Sequence, residues 1–187
     1  MVFIEKQEGK QPMQSFKDLY TSDLARYGRK PSRYLRVYHY LLRKAQTSTG
    51  IKKQVFHDLL LAHSLPHGIE LSDETITGKG LYIGHAYCIT VNKKAVLGEN
   101  VNIHGGVLIG RENRGKRKGA PTIGNYVWIG MNAAIVGKVT VGDDVLIAPN
   151  AYVNFDVPDH SIVIGNPGKI YHCDNATKDY INYAFEQ

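Results

Sequence analysis

An aliphatic residue recurs at every sixth position through the middle of this chain. Leu97, Ile103 and Ile109 form one run; Ile123, Ile129, Ile135, Val141, Ile147 and Val153 form another. A small or polar residue often follows, as at Gly98, Gly110, Gly124, Gly130, Gly142 and Ala148. Four residues beyond the aliphatic comes a small or β-branched residue: Val101, Val107, Val127, Ala133, Val139, Val145, Ala151. Repetition at a fixed period calls for a solenoid. Six residues are enough for one short strand and one turn, so three repeats make one triangular coil. A coil stacks only on its neighbours and needs caps at the ends of the stack.

Composition changes sharply along the chain. Residues 69–170 hold 15 of the 19 glycines and carry a net charge of +1. Residues 1–68 hold 4 glycines and carry +7, and the tail 171–187 holds none and carries −2. Three segments follow: a helical N-terminal cap over 1–68, a solenoid over 69–170, and a short tail. In the cap, Ser15 and Asp18 read as a capping box opening a helix over 16–26. From Ser32, the positions Leu35, Tyr38, Leu41, Leu42 and Ala45 mark a second helix face. A third helix is expected over 51–64, with Ile51, Val55, Leu59 and Ala62 on one side. Arg33, Arg36, Arg43, Lys44, Lys52 and Lys53 fall largely on other faces and read as solvated. Attraction to an anionic membrane surface is the weaker reading of that charge. Nucleic acid is weaker still, because no binding motif accompanies it. The tail, with Tyr180, Ile181, Tyr183 and Phe185, is expected to form a short helix closing the last coil or touching a neighbouring subunit.

No apolar run approaches the ~20 residues that span a bilayer. Glu5, Lys6 and Glu8 stand where a signal peptide needs its apolar stretch, so a cytoplasmic chain is expected. Cys88 and Cys173 are too few for a disulfide framework or a thiolate zinc site. His85, His104 and His160 lack the close pairing of a β-helical zinc enzyme, so no metal is expected.

The period breaks twice. Ile83 to Leu97 spans 14 residues, two more than two repeats; Ile109 to Ile123 also spans 14, eight more than one repeat. The second insertion holds the segment from Arg111 to Lys118, net +4, and is too polar to bury. Trp128 falls on an outward repeat position and is expected at a subunit interface.

The hexapeptide pattern resembles that of the hexapeptide-repeat acyltransferases, and within them the serine acetyltransferases and the small O-acetyltransferases of bacterial polysaccharide clusters. The resemblance covers about 69–170 and, more loosely, the cap. It implies a left-handed parallel β-helix, a homotrimer, and acetyl-CoA as co-substrate. It also implies a general-base histidine at His85, in the motif from Tyr82 to Cys88, with an orienting acid fifteen residues earlier at Glu70. Where the family has Asp, this chain has the longer Glu. Imidazole suits the task, since it can take an alcohol's proton near neutral pH while the oxygen attacks a thioester. A carboxylate on its other nitrogen would fix the tautomer. On residue chemistry alone, a histidine stacked on the coil surface is the leading reading of His85.

Positions matching the family's CoA-contacting corners are Met131 and Pro149, and Lys169 matches the basic residue of its closing loop. Family members often carry small residues at the two corners. His104 is a fallback base or acceptor contact beside a structural reading. The acceptor is left with fewer signals. Gly84 stands where a serine-binding enzyme has Asp, and Gly119 and Ala120 stand where it has Arg and His. Together they point to a sugar hydroxyl, with Gly84, His104 and Arg114 of the basic loop as candidate acceptor contacts. The alternatives are serine O-acetylation in cysteine biosynthesis, N-acetylation of an amino sugar, or a non-catalytic β-helical scaffold.

Overall fold

The computed structural model describes residues 15–185. Three helices lead into fifteen short strands: α1 (Phe16–Ala25), α2 (Arg33–Thr47), α3 (Gly50–Ser64), then β1 to β15. The strands form a three-faced prism. The first face stacks β1 (Ile69–Leu71), β4 (Ile89–Val91), β7 (Leu108–Gly110), β10 (Ala134–Val136) and β13 (Tyr152–Val153). The second stacks β2 (Ile76–Thr77), β5 (Val96–Leu97), β8 (Thr122–Ile123) and β11 (Thr140–Val141). The third stacks β3 (Tyr82–Gly84), β6 (Asn102–His104), β9 (Val127–Ile129), β12 (Val145–Ile147) and β14 (Ser161–Ile164), closed by antiparallel β15 (Lys169–His172). All other pairings named here are parallel, as a solenoid requires.

The six-residue period becomes a set of inward ladders. Ile83, Ile103, Ile129 and Ile147 lie in register on the third face and are at most 1% exposed. Leu97, Ile123 and Val141 lie in register on the second, and Ile109, Ile135 and Val153 on the first, all at most 2% exposed. Each such side chain contributes about 1.5–3 kcal/mol by leaving water.

The register shows where the extra residues go. Ile83 aligns with Ile103 and Ile89 with Ile69, while Val91 aligns with Ile109. The first insertion therefore falls in the corner between β3 and β4, which carries His85. The second leaves the corner between β7 and β8 as a hairpin tied by the Glu112–Gly119 bridge.

The cap docks through buried charge. Ser15 caps α1 as expected, its hydroxyl accepting from the Asp18 amide and donating to the Asp18 carboxylate. Arg43 is not solvated: it is 0% exposed. Its guanidinium donates twice to Asp23, at 2.7 and 2.9 Å, and also to Thr77 and to the Gly78 carbonyl. Asp23 in turn accepts the Leu81 amide and the His39 ring. The face of α3 with Ile51, Val55 and Leu59 points outward rather than into the cap, and α3 buries Leu60 instead.

The tail also departs from expectation. After β15 it forms turns, with no helix among the described residues, and runs back along the third face towards the cap. Asp144 anchors it by accepting from the Ala176 and Thr177 amides and the Thr177 hydroxyl. Further on, Asn102 donates to the Tyr180 carbonyl and Arg26 to that of Asn182. Trp128 is consequently packed within its own chain, between His104 at 4.7 Å and Tyr180 at 5.1 Å.

Candidate active site

The edge between the third and first faces collects most of the sequence-predicted residues. His85 lies in its first corner, Met131 in its third and Pro149 in its fourth, all three exposed. Main-chain bonds tie the corners together: Gly106 donates to the Tyr87 carbonyl, Asn132 to that of Gly105, and Asn150 to that of Met131. The 165–168 turn ends the column, and exposed Lys169 follows it. Two apolar corners with a cation at one end fit an extended co-substrate whose far end carries phosphate. Arg114 does not join this column. Its hairpin leaves the opposite end of the first face, on another edge of the same chain.

His85 sits in the expanded corner with a left-handed backbone, φ 49°, a conformation that non-glycine residues adopt sparingly and often at functional sites. It lines a cavity of about 370 Å³ between this corner and the loop from α1 to α2. Tyr27, Tyr82 and Gly84 share that cavity, and Arg29 and Lys30 stand at its rim. Glu70 is not bonded to His85. It lies exposed on the first face, beside Thr90, and makes no ion pair among the described residues. The orienting acid expected from sequence is thus not engaged here.

Of the two histidines at this corner, His104 is the one with an orienting partner. Its Nδ1 is 3.0 Å from the Ile129 carbonyl, and a carbonyl can only accept, so Nδ1 carries the proton. Burial holds this ring below the ordinary histidine range. The nearby His85 pushes the same way, against the Ile129 bond. The ring is therefore neutral at pH 7, with its lone pair on Nε2. Gly84 makes room for it, since a Cβ at that position would lie 2.6 Å from Cδ2 and 2.8 Å from Nε2. His85 is 6.2 Å away, ring to ring.

Tyr27 joins the cap to this corner. Its hydroxyl takes the Ile83 amide at 3.1 Å and lies 3.0 Å from His39 Nε2, while its ring stacks on Tyr82 at 4.6 Å. Sequence reasoning missed Asp23, His39 and Tyr27. The only available signal was polar residues on helix faces that pack inward. Among the described residues, no group of three His, Cys, Asp or Glu side chains is placed to hold a metal. Nor is any described helix long and apolar enough to cross a membrane.

Comparison with known proteins agrees with this architecture. Residues 120–154 match the bacterial transferase hexapeptide (six repeats) family. The chain is 37% identical over 102 residues to a serine acetyltransferase of Helicobacter pylori, covering 54% of this chain and 60% of the relative. A Mycobacterium tuberculosis serine acetyltransferase is 32% identical over 103 residues, covering 55% of this chain and 45% of the relative. The chain thus spans less than two thirds of the length of these curated relatives. Among solved structures, Neisseria gonorrhoeae serine acetyltransferase in complex with serine aligns with TM-score 0.66 and 27% identity, over 83% of this chain and 69% of that one. A serine acetyltransferase complex with CoA aligns with TM-score 0.60 and 25% identity, over 74% of this chain and 55% of that one.

Proposed function

We propose that this chain, a hexapeptide-repeat protein of the bacterial transferase type, is an acetyl-CoA-dependent O-acetyltransferase. The observation that carries the reading is the shared edge: His85 stands at the head of the column formed by Met131, Pro149 and the turn before Lys169. CoA lies along that column, with its thioester near the corner and Lys169 towards a phosphate. His85 takes the proton of the attacking hydroxyl as its oxygen bonds the thioester carbon, the neighbouring amides receive the charge developing on the thioester oxygen, and the carbon–sulfur bond then breaks, with the proton passing from His85 to the departing CoA sulfur. Positioning both substrates at one corner supplies much of the remaining rate. A homotrimer would bring a neighbour's surface against the column and complete the CoA groove.

The relatives named as serine acetyltransferases make serine the first acceptor to test. One feature of the site favours a second. The strand beside His85 offers no carboxylate for an ammonium, since position 84 is glycine and is filled over by His104. Gly119 and Ala120 likewise bring no cation for a carboxylate. Arg29 and Lys30 at the rim could meet a carboxylate, but an ammonium would find no partner there, whereas a sugar hydroxyl needs no counter-charge.

The test follows free thiol during incubation with acetyl-CoA and either serine or a panel of sugars and nucleotide sugars. Acceptor-dependent thiol release is expected, with His85→Ala lowering turnover about 10²–10⁴-fold. Near wild-type turnover in a folded His85→Ala protein would remove His85 as the base. Saturable turnover with serine would settle the acceptor against sugar.

A further inference from the structure

A second, smaller cavity lies beside the one that holds His85, on the other side of the Tyr27–Tyr82 stack. Its volume is about 170 Å³. An apolar cavity of about 150 Å³ accepts a benzene-sized ring, so this one has room for a single six-membered ring. Its walls come from three parts of the chain: the cap, the outer surface of the third face, and the returning tail with Tyr180 and Tyr183.

Most of its polar atoms are already engaged. Arg26 donates to the Gly80 carbonyl, Asn102 Oδ1 and the Asn182 carbonyl. Asn102 is held between Arg26 and the Tyr180 carbonyl. What remains for a ligand is a set of aromatic side chains, Tyr82, Trp128 and Tyr180, with their hydroxyl and indole edges, together with His104. The Nε2 of His104 has no hydrogen-bond partner among the described residues, and its Nδ1 proton is committed to Ile129. Aromatic faces set in a largely polar lining, beside the neutral acceptor of His104, suit a ligand with an apolar ring face and hydroxyl groups at its edge. Among the described lining residues only Arg26 is charged, so the ammonium of a free amino acid would find no counter-charge there.

We propose that this cavity is a subsite for one sugar ring of the acceptor, with His104 Nε2 taking a hydrogen bond from a ring hydroxyl. The inference rests on the acyltransferase reading with a sugar acceptor. His104 then acts as a specificity-determining contact that holds the ring while a hydroxyl reaches His85, one corner away.

The chain's single tryptophan, Trp128, is a wall of the cavity and reports on its occupancy. The full chain would be titrated with methyl glycosides of glucose, galactose, mannose and N-acetylglucosamine, up to about 0.1 M, and in parallel with serine. A saturable change in Trp128 fluorescence is expected with at least one glycoside. His104→Leu should raise its half-saturation about tenfold, the loss of one hydrogen bond. Should His104→Leu not fold, the His104 ring nitrogens in the wild-type protein, read by NMR, should shift on addition of the same glycoside.

No saturable change with any glycoside overturns the proposal. So does unchanged half-saturation in His104→Leu, unshifted His104 nitrogens on glycoside binding, or saturation by serine instead. Thermal stabilisation by CoA reads the acyltransferase function separately. Loss of CoA stabilisation with glycoside binding intact would count against acetyl transfer and not against the subsite.

Discussion

The Asp23–Arg43 pair offers a sharp test of how the cap is held on the coils. Both side chains are 0% exposed, and burial alone would raise the Asp23 pKa. Arg43, with help from His39, outweighs that and holds the carboxyl below the usual range. Arg43→Met keeps volume but leaves a buried carboxylate without its cation, at a cost of about 3–5 kcal/mol. With a urea m-value of about 2 kcal/mol per M, the unfolding midpoint should fall by roughly 1.5–2.5 M. The assay is urea denaturation followed by far-UV circular dichroism at fixed protein concentration, since an oligomer's midpoint depends on it. The double variant Asp23→Leu/Arg43→Met removes the stranded charge and should recover more than half of the loss. It would not recover all of it, because the Leu81 amide would lose its acceptor, worth about 1–3 kcal/mol. The sign with pH follows from Asp23. In the wild type the depressed pKa gives stability above the unfolded value near about 3.9, and that stability is lost as pH falls through the folded value. In Arg43→Met, burial would raise the folded pKa, so the deficit should shrink in acid. A single-variant loss below about 1 kcal/mol, or a double variant as unstable as both singles added, would refute the view that this pair bears the docking.

Three further outcomes are expected. Burial would raise the Asp144 pKa, but the bonds from His160 and Thr177 hold it low, and Asp144 raises His160. The Asp144 contribution to tail docking is present above about pH 4 and lost as pH falls through the folded carboxyl value, while that of His160 is present below about 6.5 and lost as pH rises through its raised value. Proteolysis of the tail should therefore be slowest between these limits and faster in Asp144→Ala at every pH; a flat profile would count against the anchor. Protonation of His104 should alter Trp128 fluorescence only at a pH below the ordinary histidine range, and His104→Leu should lack that step; a step at or above about 6.5 would contradict the buried neutral ring. Gly84→Ala would drive a Cβ into the His104 ring, costing about 1–3 kcal/mol by overpacking and displacing Nε2; unchanged stability and an unmoved His104 NMR signal would show that the glycine is not needed for space.

The coils were legible because their determinant is local and periodic. An aliphatic at every sixth position can point inward only if each repeat turns one corner, and Ile83, Ile103, Ile129 and Ile147 stack as that spacing demands. The shared edge of His85, Met131 and Pro149 follows from the same period once the family resemblance marks these positions. What was not legible depends on pairs distant in sequence. Arg43 sits on a helix whose period says only which side it faces. Its burial depends on Asp23 from another helix and on carbonyls from the first coil. Trp128 points outward, as its register says, but the tail that covers it arrives from about fifty residues later, a contact that no local pattern encodes. The same limit applies to His104, whose tautomer is set by a carbonyl in the next coil.

The two breaks in the period have unequal consequences. The larger one makes a basic hairpin that stands away from the His85 column in its own chain. The smaller one, two residues, widens a single corner and puts His85 on a left-handed backbone at its exposed surface. That corner is also where the chain's non-repetitive parts converge. Tyr27 from the cap binds Ile83 on the strand just before it, and Arg26 reaches the first coil at Gly80, the second at Asn102 and the tail at Asn182. Burial pushes the Arg26 guanidinium down to about 10, so it remains charged at neutral pH and keeps all three partners. A uniform solenoid presents the same shallow edge at every level and has no reason to bind anything at one of them. Cap and tail, joined through Arg26 and the Tyr27–Tyr82 stack, turn one level of that edge into two walled cavities, one holding His85 and the other His104. Change at this junction should therefore disturb binding at these two cavities before it disturbs the proposed CoA column, whose corners at Met131 and Pro149 lie on later coils.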